Sequence, residues 1–144
     1  MENNLFRNIN RQLSKEDIAM LSPLQLAYIG DAVYELLVRT YLLKENIPVK
    51  KLHNTTINYV KAKAQAQAIH GLDKMLSDEE KRLVKKGRNA KSKSMPKNAD
   101  MLDYKYATGL ETLFGYLYLN RDDMRIKELF EEVIKITATK ERTN

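Results

Sequence analysis

The chain of 144 residues contains no cysteine, which excludes a disulfide framework, a cysteine-ligated zinc site and a cysteine nucleophile. It has only two histidines, too few for a histidine-rich metal site. No stretch reaches the roughly 18 apolar residues that a membrane span requires, and the N-terminus lacks the apolar segment of a secretory signal. We therefore expect a protein that neither enters a membrane nor is exported, and that works in the cytoplasm.

Glycine and proline are also scarce, at five and three residues. Because these residues punctuate a chain, their scarcity favours long uninterrupted elements. The apolar residues between them are spaced mostly as in helices, and no stretch alternates as a strand does. We expect an all-α fold, organised as one domain over residues 1–144 with its core at about 14–138.

Three serines have the pattern of a helix N-cap. Ser22 precedes Pro23, and Gln25 follows at the third helical position, as in a capping box. Ser77 and Glu80 have the same spacing, and Ser14 precedes two acidic residues that are typical of a first turn. The start at Ser22 predicts a helix from Pro23 to about Lys44.

The other boundaries are expected from composition. We interpret "ENIPVKKLHN" as a connector and place an Ala-rich helix at roughly 56–70. The helix after Ser77 leads into "KKGRNAKSKSMPKNAD", which we expect to be a basic loop beginning near Gly87. A mostly apolar helix at 101–119 and an amphipathic helix at about 122–137 complete the chain.

The formal net charge of +6 is unevenly distributed along the chain. Residues 46–99 hold thirteen Lys or Arg and four acids, a net of +9, and the rest has a net of −3. Such a block indicates a polyanionic partner, nucleic acid before membrane because no amphipathic anchor accompanies it. A solvated basic face is the alternative.

Two carboxylates fall in mostly apolar helices. Asp31 lies in the middle of "LAYIGDAVYELLV", more than two turns from the predicted cap, and Glu35 lies one turn later. On the 101–119 helix, Glu111 belongs to a stripe of small and polar residues that could pack closely on another helix: Thr108, Glu111, Thr112 and Gly115. We expect Asp31 and Glu111 to be buried, so that each needs a partner.

Two kinds of partner are open at this point. One is a salt bridge to a basic residue such as Arg39, Arg88 or Lys105. The other is a hard divalent cation, which prefers oxygen ligands and keeps several waters, as Mg²⁺ does in phosphate chemistry. Together with the basic block, the second interpretation predicts metal-assisted hydrolysis of a phosphodiester.

The same residues carry a resemblance to a known family. "LAYIGDAVYE" resembles the signature helix of ribonuclease III domains, and "GRNAKS…PKN…DYKYATGLETLFGYLYL" resembles the short branch called Mini-ribonuclease III. The resemblance covers residues 21–119 in matching order and spacing. It implies an all-helical endonuclease domain that forms a homodimer, binds double-stranded RNA and uses Mg²⁺ to leave 5′-phosphates and 3′-hydroxyls, without an organic cofactor.

Carried over by position, the family's catalytic and metal-binding acids fall on Asp31 and Glu111. Full-length members have two more acids, where this chain has Ala27 and Thr108, and the resemblance implies that the short branch shares this reduced set. We expect no separate double-stranded RNA-binding domain. RNA binding is then assigned to the basic loop, with these candidates: Lys85, Lys86, Arg88, Lys91, Lys93 and Lys97.

The predicted function is a Mg²⁺-dependent endoribonuclease for double-stranded RNA, and the resemblance suggests the 23S ribosomal RNA precursor as its natural substrate. Ala27 and Thr108 keep open a non-catalytic relative that binds RNA or the ribosome. A helical dimerisation domain with no role in RNA is the third interpretation.

Overall fold

The computed structural model describes Arg7 and residues 13–43, 46–91 and 100–143. Residues 141–143 are described by their backbone only. Over all the described residues the regular structure is entirely helical, so the all-α prediction is confirmed. None of the described helices is long and apolar enough to cross a membrane. The elements are α1 (Lys15–Ala19), α2 (Pro23–Leu42), α3 (Val49–Val60), α4 (Ala62–Leu72), a 3₁₀ turn (Asp73–Met75), α5 (Asp78–Asn89), α6 (Met101–Leu119) and α7 (Asp123–Thr143).

The three predicted serine caps are confirmed. At the start of α2, the Gln25 N–H donates to Ser22 Oγ at 3.1 Å, and the Ser22 N–H donates to Gln25 Oε1 at 2.9 Å. Ser14 and Ser77 form the same reciprocal bonds at α1 and α5. These bonds satisfy amides that have no partner within the helix, which fixes where each helix begins.

Helix α6 is the centre of the molecule and packs mainly against α2, α4 and α5. Leu110, Leu113 and Phe114 on α6 are fully buried. The Tyr34 ring from α2 meets Phe114 edge-on, with ring centroids 5.3 Å apart, which is a favourable aromatic geometry. One hydrophobic cluster therefore runs from α2 to α7 around α6.

Helices α2 and α6 cross with their backbones in contact. A Cβ on Gly30 would overlap the carbonyl of Glu111, and a Cβ on Gly115 would overlap the carbonyl of Leu26. Thr112, also at this crossing, donates from Oγ1 to the Pro23 carbonyl at 3.2 Å. The predicted stripe of small and polar residues thus does pack closely on a neighbouring helix.

Two of the boundaries expected between residues 46 and 70 are wrong. The stretch predicted as a connector contains the start of α3 at Val49, and the expected Ala-rich helix is two helices. Lys61 separates them, because its ψ of 153° is extended. Lysine has no intrinsic tendency to break a helix, so tertiary packing of the two helices decides this bend.

Helix α5 continues through Gly87 to Asn89, although Gly87 was expected to begin the loop. A Cβ on Gly87 would overlap the Thr112 side chain, so this glycine permits close packing on α6 rather than a turn. Helix α7 also extends beyond the expected end, to Thr143. The predicted end of α2 at Lys44 and the loop residues 92–99 lie outside the described residues.

A charged pair that the sequence did not reveal joins α5 to α7. The Arg125 guanidinium donates to Glu80 through Nε at 2.8 Å and Nη2 at 2.7 Å, and Nη2 also donates to the Met75 carbonyl at 2.6 Å. These bonds hold the pKa of the buried Glu80 carboxyl below its ordinary value. The capping glutamate of α5 therefore also anchors α7.

Candidate active site

The crossing of α2 and α6 brings the two candidate acids together. Asp31 follows Gly30 directly, and Glu111 is the residue whose carbonyl lies against Gly30. The two carboxyl groups are close enough to interact both by charge and by hydrogen bonding. From α4, the side chain of Gln65 reaches the same Glu111 carboxyl. Three helices thus converge on one pair of acids.

The prediction that Asp31 is buried is wrong, because its side chain is exposed. Gly30 faces α6, and the next residue on a helix points about 100° away, towards a side of α2 that no other described element covers. Tyr28 on that side is 79% exposed and Leu36 is 56% exposed. An apolar helix was expected to be surrounded, but α2 has an open side on which Asp31 is accessible.

Glu111 is partly buried and has a strongly altered acidity. Burial raises its pKa to about 8, and the neighbouring Asp31 carboxylate contributes in the same direction. A hydrogen bond with the Gln65 side chain lowers the pKa of Glu111 and so partly offsets this rise. The same surroundings, burial first and the Glu111 charge second, raise the pKa of Tyr34. Two acids held this close favour either a shared proton or a bound cation.

The salt-bridge interpretation finds no support among the described residues. Arg39 pairs with Glu35, at 3.0 Å, and Arg88 donates to the Asn89 side chain at 3.1 Å. No described Lys or Arg lies within salt-bridge distance of Asp31 or Glu111. Glu35, whose role the sequence left open, thus forms an ion pair with Arg39.

The oxygen atoms of the two carboxyl groups suit a hard cation that takes few ligands from the protein. Within the described part of the chain, no three His, Cys, Asp or Glu side chains converge on one point. Ala27 has no side-chain atom that can bind a metal. The Thr108 hydroxyl donates a hydrogen bond to the Tyr104 carbonyl at 3.0 Å. Two carboxylates on an accessible surface match Mg²⁺, which takes one or two protein carboxylates and otherwise keeps water and substrate phosphate oxygens.

Gln65 is the site residue that sequence reasoning missed. It is only 3% exposed, although it lies in the Ala-rich run "AKAQAQAIH" among residues that looked suited only to packing. A glutamine in such a run is a weak signal, because glutamine is also a common surface residue of helices. Only the position of α4 against α6 shows that its amide meets Glu111.

The candidate RNA-binding residues lie along one segment. Lys85, Lys86 and Arg88 are on the last two turns of α5, and Lys91 follows it. The three lysines are exposed and Arg88 is half-buried. The remaining two candidates, Lys93 and Lys97, lie outside the described residues.

Comparison with known protein families shows which family the chain belongs to. Residues 24–122 match the model of the ribonuclease III domain. The chain belongs to the ribonuclease III family. Both Asp31 and Glu111 lie within the matched range, and membership of this family makes the protein an endoribonuclease.

Individual relatives place it near the short branch of the ribonuclease III family. The chain is 46% identical to the Mini-ribonuclease 3 of Clostridium tetani, over 89% of this chain and 86% of that protein. It is 48% identical to the Mini-ribonuclease 3 of a Thermoanaerobacter species, over 86% and 88%. The crystal structure of protein FN1578 from Fusobacterium nucleatum is similar with a TM-score of 0.75 and 34% identity, over 83% of this chain and 96% of that one.

Proposed function

We propose that this endoribonuclease hydrolyses double-stranded RNA with Mg²⁺ held by Asp31 and Glu111. The observation that carries the proposal is the meeting of these two carboxyls at the Gly30–Gly115 crossing, without a basic partner among the described residues. The contact between the helix backbones limits relative movement of the two acids, so their separation is set by the fold rather than by flexible side chains.

Each residue has a distinct task in this mechanism. When bound, Mg²⁺ acidifies water and stabilises negative charge on the phosphate. Asp31, on the open side of α2, faces the solvent from which RNA arrives. Glu111 is half-enclosed, and the Gln65 side chain orients its carboxyl. No protein nucleophile is required, which agrees with the absence of cysteine from the chain.

The basic segment supports a polyanionic substrate. Proteins grip A-form duplexes mainly through phosphates and 2′-hydroxyls, and lysines on an exposed helix suit this task. We assign the grip to the six basic residues named from the sequence: Lys85, Lys86, Arg88, Lys91, Lys93 and Lys97. Binding through them falls steeply with salt.

The natural substrate and the assembly extend the proposal further. Similarity to several Mini-ribonuclease 3 proteins supports assignment to the short branch, for which the sequence resemblance implies maturation of the 23S ribosomal RNA precursor. The open apolar side of α2 supports a homodimer, because such a surface is unfavourable in water. A homodimer would place one acid pair against each strand of a duplex.

The test compares three variants on a purified RNA duplex, with Mg²⁺ and with EDTA. We expect Asp31→Asn and Glu111→Gln each to reduce the cleavage rate at least about 100-fold, because losing a direct ligand should cost no less than losing an outer-shell partner, which costs about 10–100-fold. Both should still bind the duplex in a mobility-shift assay. Glu35→Gln is the matched control, because it removes a carboxylate one turn from Asp31 that already pairs with Arg39, and it should cleave within a few-fold of the wild-type rate.

Three results would contradict the proposal. Asp31→Asn cleaving at the wild-type rate would remove Asp31 from the site. Cleavage that persists in EDTA would remove the metal. If Glu35→Gln were as inactive as Asp31→Asn, the loss would reflect the general charge of α2 rather than a specific ligand.

A further inference from the structure

A small pocket with a cationic rim lies between α4, α5 and α6, apart from the acid pair. Its volume is about 250 Å³, below the usual range for an organic ligand but ample for a phosphate group. Ile69, Leu76 and Val84 form its apolar part. The polar residues that line it are His70, Asp73, Lys81, Lys85, Arg88 and Tyr106.

The cations of this pocket lie on one face of α5. Lys81, Lys85 and Arg88 are spaced i, i+4 and i+7, so their side chains are neighbours. Like charges at this spacing repel each other and destabilise an isolated helix. Within the described residues, no carboxylate lies within salt-bridge distance of any of the three, although Asp73 lines the same pocket.

A few basic residues elsewhere on the described surface have an acidic partner, whereas others, such as Arg82, have no carboxylate within salt-bridge distance. Arg39 pairs with Glu35, Arg125 with Glu80, and Lys127 lies 3.9 Å from Glu131. The contrast matters because a cluster of cations without acids leaves its charge available to an external anion. The α5 face is therefore distinguished by the gathering of three such cations around one pocket.

Arg88 is held in position by an aromatic ring. Its guanidinium carbon lies 5.7 Å from the centre of the Tyr106 ring, and the His70 ring centre lies 4.3 Å from the same ring. Stacking of this kind restricts a long side chain while leaving guanidinium donors for a phosphate. Arg88 is thus better ordered for binding an anion than a free surface lysine.

Both neighbouring helices place the pocket close to the acid pair. Tyr106 lies five residues before Glu111 on α6, and His70 lies five residues after Gln65 on α4. At about 1.5 Å per residue, each offset is about 7.5 Å along the helix axis. Five residues also turn a side chain by about 140° around the axis, so the pocket and the acid pair lie at neighbouring levels but on different faces of α4 and α6. Only a ligand longer than one phosphate, such as an RNA duplex, could contact both.

We propose that the pocket bounded by Lys81, Arg88 and Tyr106 binds a non-scissile phosphate of the RNA backbone and so sets the register of the duplex on the acid pair. This inference rests on the proposed function. It adds Lys81, His70 and Tyr106 to the binding surface, and it makes the site a formed pocket rather than a diffuse patch of charge. A free phosphate or nucleotide has the same chemistry as the backbone group, so the test must separate these sources.

The test uses two double variants of equal charge. Lys81→Gln/Arg88→Gln removes two pocket cations, whereas Arg82→Gln/Lys127→Gln removes two exposed cations that do not line the pocket. Duplex RNA binding is measured in EDTA, without cleavage, across a range of salt concentrations. We expect the pocket variant to bind at least about 10-fold more weakly and to lower the salt slope by about one, because the pocket binds one phosphate and each phosphate contact contributes about one. The control variant should stay within about two-fold of wild type.

A second arm titrates wild type and the pocket variant with inorganic phosphate, followed by the NMR signals of the His70 ring. Saturation at millimolar phosphate, with RNA affinity equal in all three proteins, would assign the pocket to free phosphate and overturn the inference. Equal losses in both double variants would also overturn it, since general charge would then explain binding.

The outcomes separate this inference from the function on which it rests. If wild type cuts duplex RNA and the pocket variant binds equally well, the pocket inference fails and the proposed function stands. If wild type neither binds nor cuts duplex RNA, both fail.

Discussion

Glu111 has a carboxyl whose acidity is set by its surroundings rather than by its own chemistry. The carboxyl is largely buried and the Asp31 carboxylate from α2 lies beside it, so that its pKa rises to about 8. Near neutral pH and without a metal, the Glu111 carboxyl is therefore mostly protonated. A divalent cation can replace that proton, and this exchange links metal binding to pH.

The raised pKa predicts how stability varies with pH in EDTA. Between about pH 4.5 and pH 8, the folded state retains the Glu111 proton, whereas the unfolded state has lost it. The folded state then binds more protons, so the free energy of unfolding falls as pH rises, by at most about 1.4 kcal/mol per pH unit, and levels off above pH 8. The measurement is urea unfolding of wild type and Glu111→Gln across this interval. As pH rises, the free energy of unfolding of wild type should fall relative to that of the variant.

Comparing Glu111→Gln with wild type controls for the other titrating groups, such as Glu80, because both proteins contain them. At pH 8, Mg²⁺ should raise the unfolding free energy of wild type and leave that of Glu111→Gln nearly unchanged. Parallel pH curves for the two proteins would show that Glu111 is not protonated in the folded state.

At the scale of elements, the contact between α2 and α6 both packs the core and positions the acids. Gly30 and Gly115 allow each backbone to touch the other, and Asp31 and Glu111 stand next to that contact. Because the acids lie on different helices, any change in the helix separation changes the distance between their carboxyls. The stability of the crossing and the geometry of the site are therefore coupled.

Gly30→Ala tests this coupling. The added methyl group would overlap the Glu111 carbonyl, a backbone atom that cannot rotate away, so the helices must separate. We expect a loss of about 3 kcal/mol or more in the free energy of unfolding, together with loss of RNA cleavage. Gly71→Ala is the matched control, because its methyl group would meet side-chain atoms of Ile136 and no backbone, the nearest being the terminal Cδ1, which can move aside. Its unfolding free energy should stay within about 1 kcal/mol of wild type. Equal stability of the two variants would contradict the described crossing.

How far the elements could be predicted depends on where the deciding forces lie. The caps at Ser22 and Ser77 and the extent of α6 were predicted correctly, because local hydrogen bonds and spacing determine them. The division of α3 from α4 at Lys61 could not be predicted, since lysine gives no local signal for it. Gly87 was misinterpreted for a related reason: its missing Cβ serves a contact with Thr112, a residue distant in sequence.

The candidate site shows the same limit. Spacing and resemblance predicted that Asp31 and Glu111 share a site, and the structure brings their carboxyls close together. Their role in catalysis stays a prediction. Sequence reasoning assigned Asp31 a buried environment, because an apolar helix was assumed to be covered on every side. Gln65 and Arg125 were missed, since a glutamine or arginine on a helix looks like a surface residue until its partner from another helix is known.

At the scale of the whole molecule, two surfaces are suited to binding a partner. The α5 face has cations without acidic partners, and the open side of α2 has large apolar groups without cover in the described residues. Leu24, Tyr28 and Leu36 on that side are 38%, 79% and 56% exposed. They are spaced by four and eight residues, so they form one stripe along α2, beside Asp31. Contact of this stripe with a second copy would bring two acid pairs together.

The proposed homodimer predicts that charge on this stripe separates the subunits. Burying a carboxylate in an apolar interface costs several kcal/mol when it has no partner, so Tyr28→Glu/Leu36→Glu should sediment as a monomer at concentrations where wild type sediments as a dimer. Met124→Glu is the control, because Met124 is 70% exposed on α7 and lies off the stripe, and it should sediment like wild type. Circular dichroism of the double variant should stay helical, since the substituted side chains are exposed in the single chain. A double variant that remains dimeric would place the subunit contact on another face, and a monomeric wild type would leave the α2 stripe to a different partner.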